Sequence, residues 1–234
     1  MSHAAHGDEF NVLKFQYEDM DQQNDSYIVG MWTFLVTEVM FFGMLFLTYS
    51  FYRANYQNDW FKAHGELSWQ LGGINTANLL FSSFLMATAV RQAQLKNRMG
   101  VLMRLGGVLA CAFVFLGIKY VEYSEKYAHH LFPGPGFAPE VSHFQGANLD
   151  HVQLFFGLYF AMTGLHGVHV LVGILVIGAL AMMWFKGKKI VTEDYIPTEL
   201  VGLYWHFVDI VWIFLYPLFY LMPNPSAGSG GGSH

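Results

Sequence analysis

The sequence predicts an all-α integral membrane protein: a bundle of five transmembrane helices, with the N-terminus cytoplasmic and the C-terminus outside. Three observations carry that prediction. Of 234 residues, 54% are hydrophobic and 18% aromatic, but only 12% are charged, and the mean hydropathy is +0.32; an ordinary soluble domain is about one quarter charged. The apolar residues gather in five runs, each near or above the roughly 20 residues a helix needs to cross a hydrocarbon core. The basic residues crowd toward one side of those runs. This composition excludes a solvated globular enzyme and a disordered chain. The net charge of −5 also argues against a nucleic-acid partner, which would require phosphate-neutralising cations.

The first span, residues 28–50, holds one charge, Glu38. The 27 residues before it form a polar, acidic segment expected to lie flat or to pack on a partner, with Asp25 or Ser26 capping the first helix. No basic region followed by a small-residue cleavage site precedes the span, so no signal peptide is read. The second span, 71–90, has no charge and carries a polar stripe of Asn75, Thr76, Asn78, Ser82 and Ser83, which should face protein rather than lipid. The third, 101–121, has Arg104 and Lys119 near its ends, where long basic side chains can snorkel to headgroups. It also holds the single cysteine, Cys111, read as a small buried hydrophobe. The fourth, 152–185, runs 34 residues without Asp, Glu, Lys or Arg. That is too long for one perpendicular crossing and too short for two with a turn, so a single tilted, protruding helix is expected. The fifth, 200–222, contains one charge, Asp209.

The connections 53–70 and 122–151 fall on the outer side, the second with a turn-rich Pro133-Gly134-Pro135-Gly136. The Gly/Ser-rich tail, 223–234, is read as disordered. No internal repeat is present. Orientation follows from counting cations. Lys14, Arg91, Lys96, Arg98, Arg104, Lys186, Lys188 and Lys189 fall on the N-terminal side; Arg53, Lys62, Lys119 and Lys126 fall on the other.

Polar side chains in hydrocarbon are expensive and each needs a reason. Glu38 lies near the midplane, where an unpaired carboxylate would protonate or find a donor. It reads either as a neutral group knitting helices together or as a proton-handling or ligand-contacting group. His166 and His169 are i, i+3 on one helix face, at about the depth of Glu38, so a Glu38–His bond between helices is expected to be within reach. Gly164 and Gly167 beside them would admit a neighbouring helix. His206 and Asp209 are again i, i+3 and read as a structural ion pair, with Trp205 and Trp212 on one face. Asn75 and Thr76 read as helix-packing residues, and Glu122 with Glu125 as an interfacial polar cluster near His129 and His130. A di-iron bundle needs Glu-x-x-His on paired helices, which is absent; His169 and His206 could in principle hold a haem, but polar contacts between helices are the simpler reading.

The order of these motifs resembles subunit III of the haem–copper terminal oxidases, the cytochrome c oxidase kind. The likeness is carried by Trp32-Thr33-Phe34-Leu35-Val36-Thr37-Glu38-Val39-Met40-Phe41-Phe42, by Ile74-Asn75-Thr76-Ala77-Asn78-Leu79-Leu80, and by Thr163-Gly164-Leu165-His166-Gly167-Val168-His169-Val170. The most specific stretch is Tyr204-Trp205-His206-Phe207-Val208-Asp209-Ile210-Val211-Trp212. Lys119-Tyr120-Val121-Glu122-Tyr123 looks like the family's Glu-Tyr at the matching helix end. The likeness covers residues 27–222. The chain lacks the two N-terminal helices of the seven-helix members and resembles the five-helix bacterial type, so a lipid-holding cleft would be more open or walled by another subunit.

The resemblance implies a non-redox subunit in a multi-pass position in the bacterial inner membrane, with no catalytic residue, haem or metal of its own. Haem and copper would lie in partner subunits. It would pack on subunit I, with subunit II and small subunits nearby, hold structural phospholipid, and support proton uptake or oxygen access; a respiratory supercomplex is left open. Glu38 would be the buried Glu near the lipid cleft, and His166, His169, His206 and Asp209 an internal polar network. The donor would be cytochrome c, to which the Tyr204–Asp209 stretch is closer, with quinol as the alternative. The alternatives are an independent membrane haem or metal protein and a transporter with Glu38 and Asp209 on an ion path; the transporter reading predicts repeats and broken helices.

Overall fold

The computed structural model describes residues 16–134, 137, 144 and 146–221. Most of the acidic N-terminal segment, Pro135-Gly136 of the 122–151 connection and the tail from residue 222 lie outside them. The described residues are 85% helical, with no strand among them. In chain order the helices are α1 (Met20–Asn55), α2 (Gln57–His64), α3 (Trp69–Gln94), α4 (Arg98–Ala128), α5 (Leu149–Phe185), α6 (Lys189–Thr192) and α7 (Ile196–Tyr220). Five of them, α1, α3, α4, α5 and α7, are long and apolar enough to cross a membrane.

The fourth apolar run is one unbroken helix of 37 residues, as its length predicts. At 1.5 Å per residue it is about 55 Å long, well beyond a hydrocarbon core of roughly 30 Å. The first helix starts earlier than expected. Its cap is Asp19, whose carboxylate accepts from the Gln22 N–H at 2.7 Å. Asp25 and Ser26 are internal, and the Ser26 hydroxyl donates back to the Gln22 carbonyl. Nothing between Met20 and Tyr27 breaks a helix, so it continues past the membrane boundary that hydropathy marks.

Three helices end in the same way. After α5, Gly187 turns to φ +64°, and the N–H groups of Gly187 and Lys188 bond the Trp184 and Met183 carbonyls. That is the double bond of a Schellman cap. The ends of α3 and α4 make the same pair of bonds with Lys96 and His130 at φ 54°. Both are non-glycine residues held in the left-handed region, at a cost the neighbouring packing must offset.

The bundle is a ring of four helices. α3 packs on α4 and α7, and α5 on α4 and α7. Core residues recur at three and four along each, as in Val101, Leu105, Val108, Ala112 and Phe115 of α4. α1 leans on α5 and α7 from outside through a seven-residue repeat of Leu35, Phe42 and Tyr49. Its other faces, with Trp32, Val36, Met40 and Leu47, stay exposed. α2 braces the C-terminal end of α1: its buried Trp60 contacts Tyr49 and Phe155.

Lipid tails are as apolar as leucine, so close packing and interhelical hydrogen bonds must hold such a bundle together. A close approach occurs at Gly173 of α5, where a Cβ would sit 2.6 Å from the Trp205 ring. Gly164 and Gly167 do not play the expected role. A Cβ at Gly167 meets nothing within 4 Å, and one at Gly164 meets only the Tyr123 hydroxyl at 3.8 Å. Both lie off the α5 core stripe that contains Gly173.

Candidate functional site

The polar side chains of the spans fall into distinct centres rather than the one network expected of Glu38, His166, His169, His206 and Asp209. The first centre joins α1 to α5. His169 Nε2 lies 3.1 Å from Glu38 Oε2, and His169 Nδ1 lies 2.9 Å from the Leu165 carbonyl. A carbonyl can only accept, so Nδ1 carries its hydrogen. The Nε2···Oε2 contact then needs one proton, on the ring or on the carboxyl, and the pair is neutral overall in either form. This is the interhelical bond that matched depth predicts. Tyr204 of α7 fixes the same turn by donating to the His169 carbonyl at 3.0 Å, and Phe42 packs edge-on to the His169 ring.

Beside this pair, between α1 and α7, lies an apolar groove of about 420 Å³. Leu35, Phe42 and Phe46 form its α1 wall, and Phe207, Ile210 and Phe214 its α7 wall. Phe42 therefore touches the groove on one side and His169 on the other.

The second centre joins α7 to α3, and it uses most of the polar stripe of α3. His206 does not pair with Asp209: its Nδ1 is 2.7 Å from Ser83 Oγ. Trp205 donates to Ser82 Oγ at 3.0 Å and Trp212 to Thr76 Oγ1 at 3.1 Å, so both tryptophans share one face as expected. Asn78 donates to the Cys111 carbonyl of α4 at 2.8 Å. Three residues apart on a helix is about 60° of rotation, enough to leave Asp209 facing inward while His206 also borders the groove.

The third centre was not foreseen. Lys119 does not snorkel: it is buried, and its Nζ donates to Glu122 Oε2 at 2.9 Å and to the Tyr220 hydroxyl at 2.7 Å. Tyr220 in turn donates to Glu122 Oε1 at 2.5 Å, and the Tyr159 hydroxyl lies 3.3 Å from it. The ammonium stands 4.6 Å from the centre of the Trp212 ring, within cation–π range. One ion pair and two phenols thus tie α4, α5 and α7 near the C-terminal end of α4. The signal was in the sequence as Lys119-x-x-Glu122, an i, i+3 pair of opposite charge. Glu122 and Glu125 are no cluster, since Glu122 is buried at the ion pair and Glu125 is exposed with His129 and His130.

His166 and Asn75 lie in the core without a protein hydrogen-bond partner among the described residues, and the buried Asp209 carboxyl lies beside the Ser83 hydroxyl. His166 is packed between rings, edge-on to Phe115 and tilted against Trp212. No group of three or more His, Cys, Asp or Glu that could hold a metal ion occurs among the described residues.

Comparison with known proteins reads this arrangement. The family model for cytochrome c oxidase subunit III matches residues 143–223, which cover α5 and α7. A relative from Bacillus spizizenii, "Quinol oxidase subunit 3", is 31% identical over 228 residues, covering 95% of this chain and 98% of its own. The chain belongs to the subunit III family of the haem–copper oxidases. Another family member, "Cytochrome c oxidase subunit 3" of Thermostichus vulcanus, is 28% identical over 85% of this chain and 88% of its own length. A third, from Aeropyrum pernix, is named "Heme-copper oxidase subunit I+III"; the match at 29% identity takes 82% of this chain but 22% of that longer one. With its five membrane-capable helices, this subunit III is a multi-pass membrane protein.

Proposed function

We propose that this subunit III is the non-redox third subunit of a proton-pumping oxidase that reduces oxygen in the aerobic respiratory chain of a bacterial inner membrane. In that role it packs against subunit I, which carries the haem and copper, and holds phospholipid at its side. The observation that carries this reading is the Glu38–His169 pair standing beside the apolar α1–α7 groove. A pair that needs one proton and stays neutral tolerates the bilayer. The groove beside it is lined by Leu, Phe and Ile side chains inside the membrane, where the surrounding solvent is acyl chain. The fused relative named subunit I+III supports a partnership of the two subunits. The exposed faces of α1 suit burial against a partner subunit or lipid. Support of proton uptake or oxygen access in subunit I follows from this placement, not from chemistry in this chain.

Electron donor choice rests with subunits I and II. Cytochrome c is the first reading, on the Tyr204–Asp209 stretch. Quinol is the second, because the Bacillus spizizenii relative named as a quinol oxidase subunit matches nearly end to end. Metal and haem analysis of the subunit freed from its partners tests the main reading. It should contain neither iron nor copper in stoichiometric amount; one bound metal per chain would defeat it.

A further inference from the structure

We propose that the corner where α4 begins and α5 ends binds the headgroup of an anionic phospholipid. The two connections there meet through one side chain. Arg98, the first residue of α4, donates to the carbonyl of Phe185, the last residue of α5, and its guanidinium lies 3.7 Å from where a Cβ on Gly187 would stand. Lys96, Lys186, Lys188 and Lys189 all fall within two residues of that contact. All five cations are exposed. The stretches 91–104 and 182–192 hold seven of the chain's twelve Lys and Arg and no Asp or Glu, although the whole chain carries −5.

Nothing among the described residues neutralises this charge. The ion pairs found there lie elsewhere, at Lys119, His151 and His169. The next acids along the chain are Glu193, which is exposed, and Asp194, which accepts from the Ile196 N–H at 3.0 Å. α4 starts and α5 ends at this corner, so the partial charges of the two helix ends oppose one another, and the excess comes from the side chains. Arg98 uses its bond to Phe185 to hold the corner together and keeps further N–H groups of its planar fork for an anion. The helices on the hydrocarbon side of these cations are apolar and open: Leu95, Met99, Met103, Met182 and Phe185 are 58–68% exposed. Cations above bare apolar helix faces match an amphiphile with a negative head, and basic sites between membrane helices take such headgroups. A soluble acidic partner would use the cations and leave the apolar faces bare. A zwitterionic lipid would cover those faces and bring no net charge. The site stands apart from the α1–α7 groove, and it requires only that these helices cross a membrane, whatever the enzyme served.

The test uses the complex in which this chain is extracted, reconstituted in phosphatidylcholine vesicles with a trace of photo-crosslinkable phosphatidylglycerol or, separately, of photo-crosslinkable phosphatidylcholine. Adducts mapped to residues 95–104 and 182–189 should be about tenfold more frequent with the phosphatidylglycerol probe. That excess should vanish at about 1 M salt, where charges are screened within a few ångströms, and in Lys96→Gln/Lys186→Gln/Lys188→Gln. Equal labelling by the two probes would overturn the proposal, since it shows apolar contact without headgroup recognition. So would the absence of adducts with either probe, the result given by an acidic partner subunit covering the corner. An excess that survives both high salt and the substitutions overturns it as well. Where the triple variant fails to assemble, the two probes and the salt dependence on the parent complex decide the matter.

Discussion

Replacing Glu122 by Gln keeps the size of the side chain and removes the only carboxylate bonded to Lys119 among the described residues. The ammonium is buried with its donors on Glu122, Tyr159 and Tyr220. Three terms decide the outcome. Breaking a buried ion pair by deleting one partner costs about 3–5 kcal/mol, because it strands a desolvated charge. The cation–π contact with Trp212 survives and keeps up to about 2 kcal/mol. Tyr220 can still donate to the amide oxygen, at the smaller strength of a neutral bond. The net expectation is a loss of about 2–4 kcal/mol in Glu122→Gln. In Lys119→Met/Glu122→Gln no charge is left stranded, so the double variant should lose less than the sum of its singles. Reversible unfolding in mixed detergent micelles, run as a double-mutant cycle, measures both. A change within about 0.5 kcal/mol for Glu122→Gln, the range of ordinary surface substitutions, would refute the reasoning.

Glu38→Gln should leave assembly intact and change turnover only modestly, since the Gln amide can donate to His169 Nε2; loss of the oxidase haem spectra in membranes of that variant would contradict this. Gly173→Ala should destabilise the bundle by about 1–3 kcal/mol, because its Cβ would fall 2.6 Å from the Trp205 ring, while Gly167→Ala should be close to neutral in the same unfolding assay. Topology follows from the eight-to-four cation count: a reporter fused after Tyr220 should be active only as a periplasmic reporter, and activity of a cytoplasmic one would invert the bundle.

The five spans were legible because length and hydropathy are local properties, and the 34-residue run forced a single helix on length alone. Helix ends were less legible: hydropathy marks the membrane, but Asp19 and not Asp25 caps α1, because a helix can outrun the bilayer. The Glu38–His169 bond was readable from matched depth. The His206–Asp209 pair was misread because adjacency along a helix does not fix which neighbour each side chain faces; Ser83, 123 residues away, took the histidine. Lys119 was misread for a related reason. A lysine near a span end snorkels unless a carboxylate and phenols meet it inside, and Tyr159 and Tyr220 come from helices whose registers the sequence does not state.

The most direct test of the central claim is the set of proteins that co-purify with this chain from its native membrane, recorded with their optical spectrum. A large subunit I with haem absorbance and copper at fixed ratio to this subunit, and with no metal left on it after dissociation, is the predicted result. Purification of the chain without such a partner, or with the haem remaining on it after the partners are removed, would contradict the account.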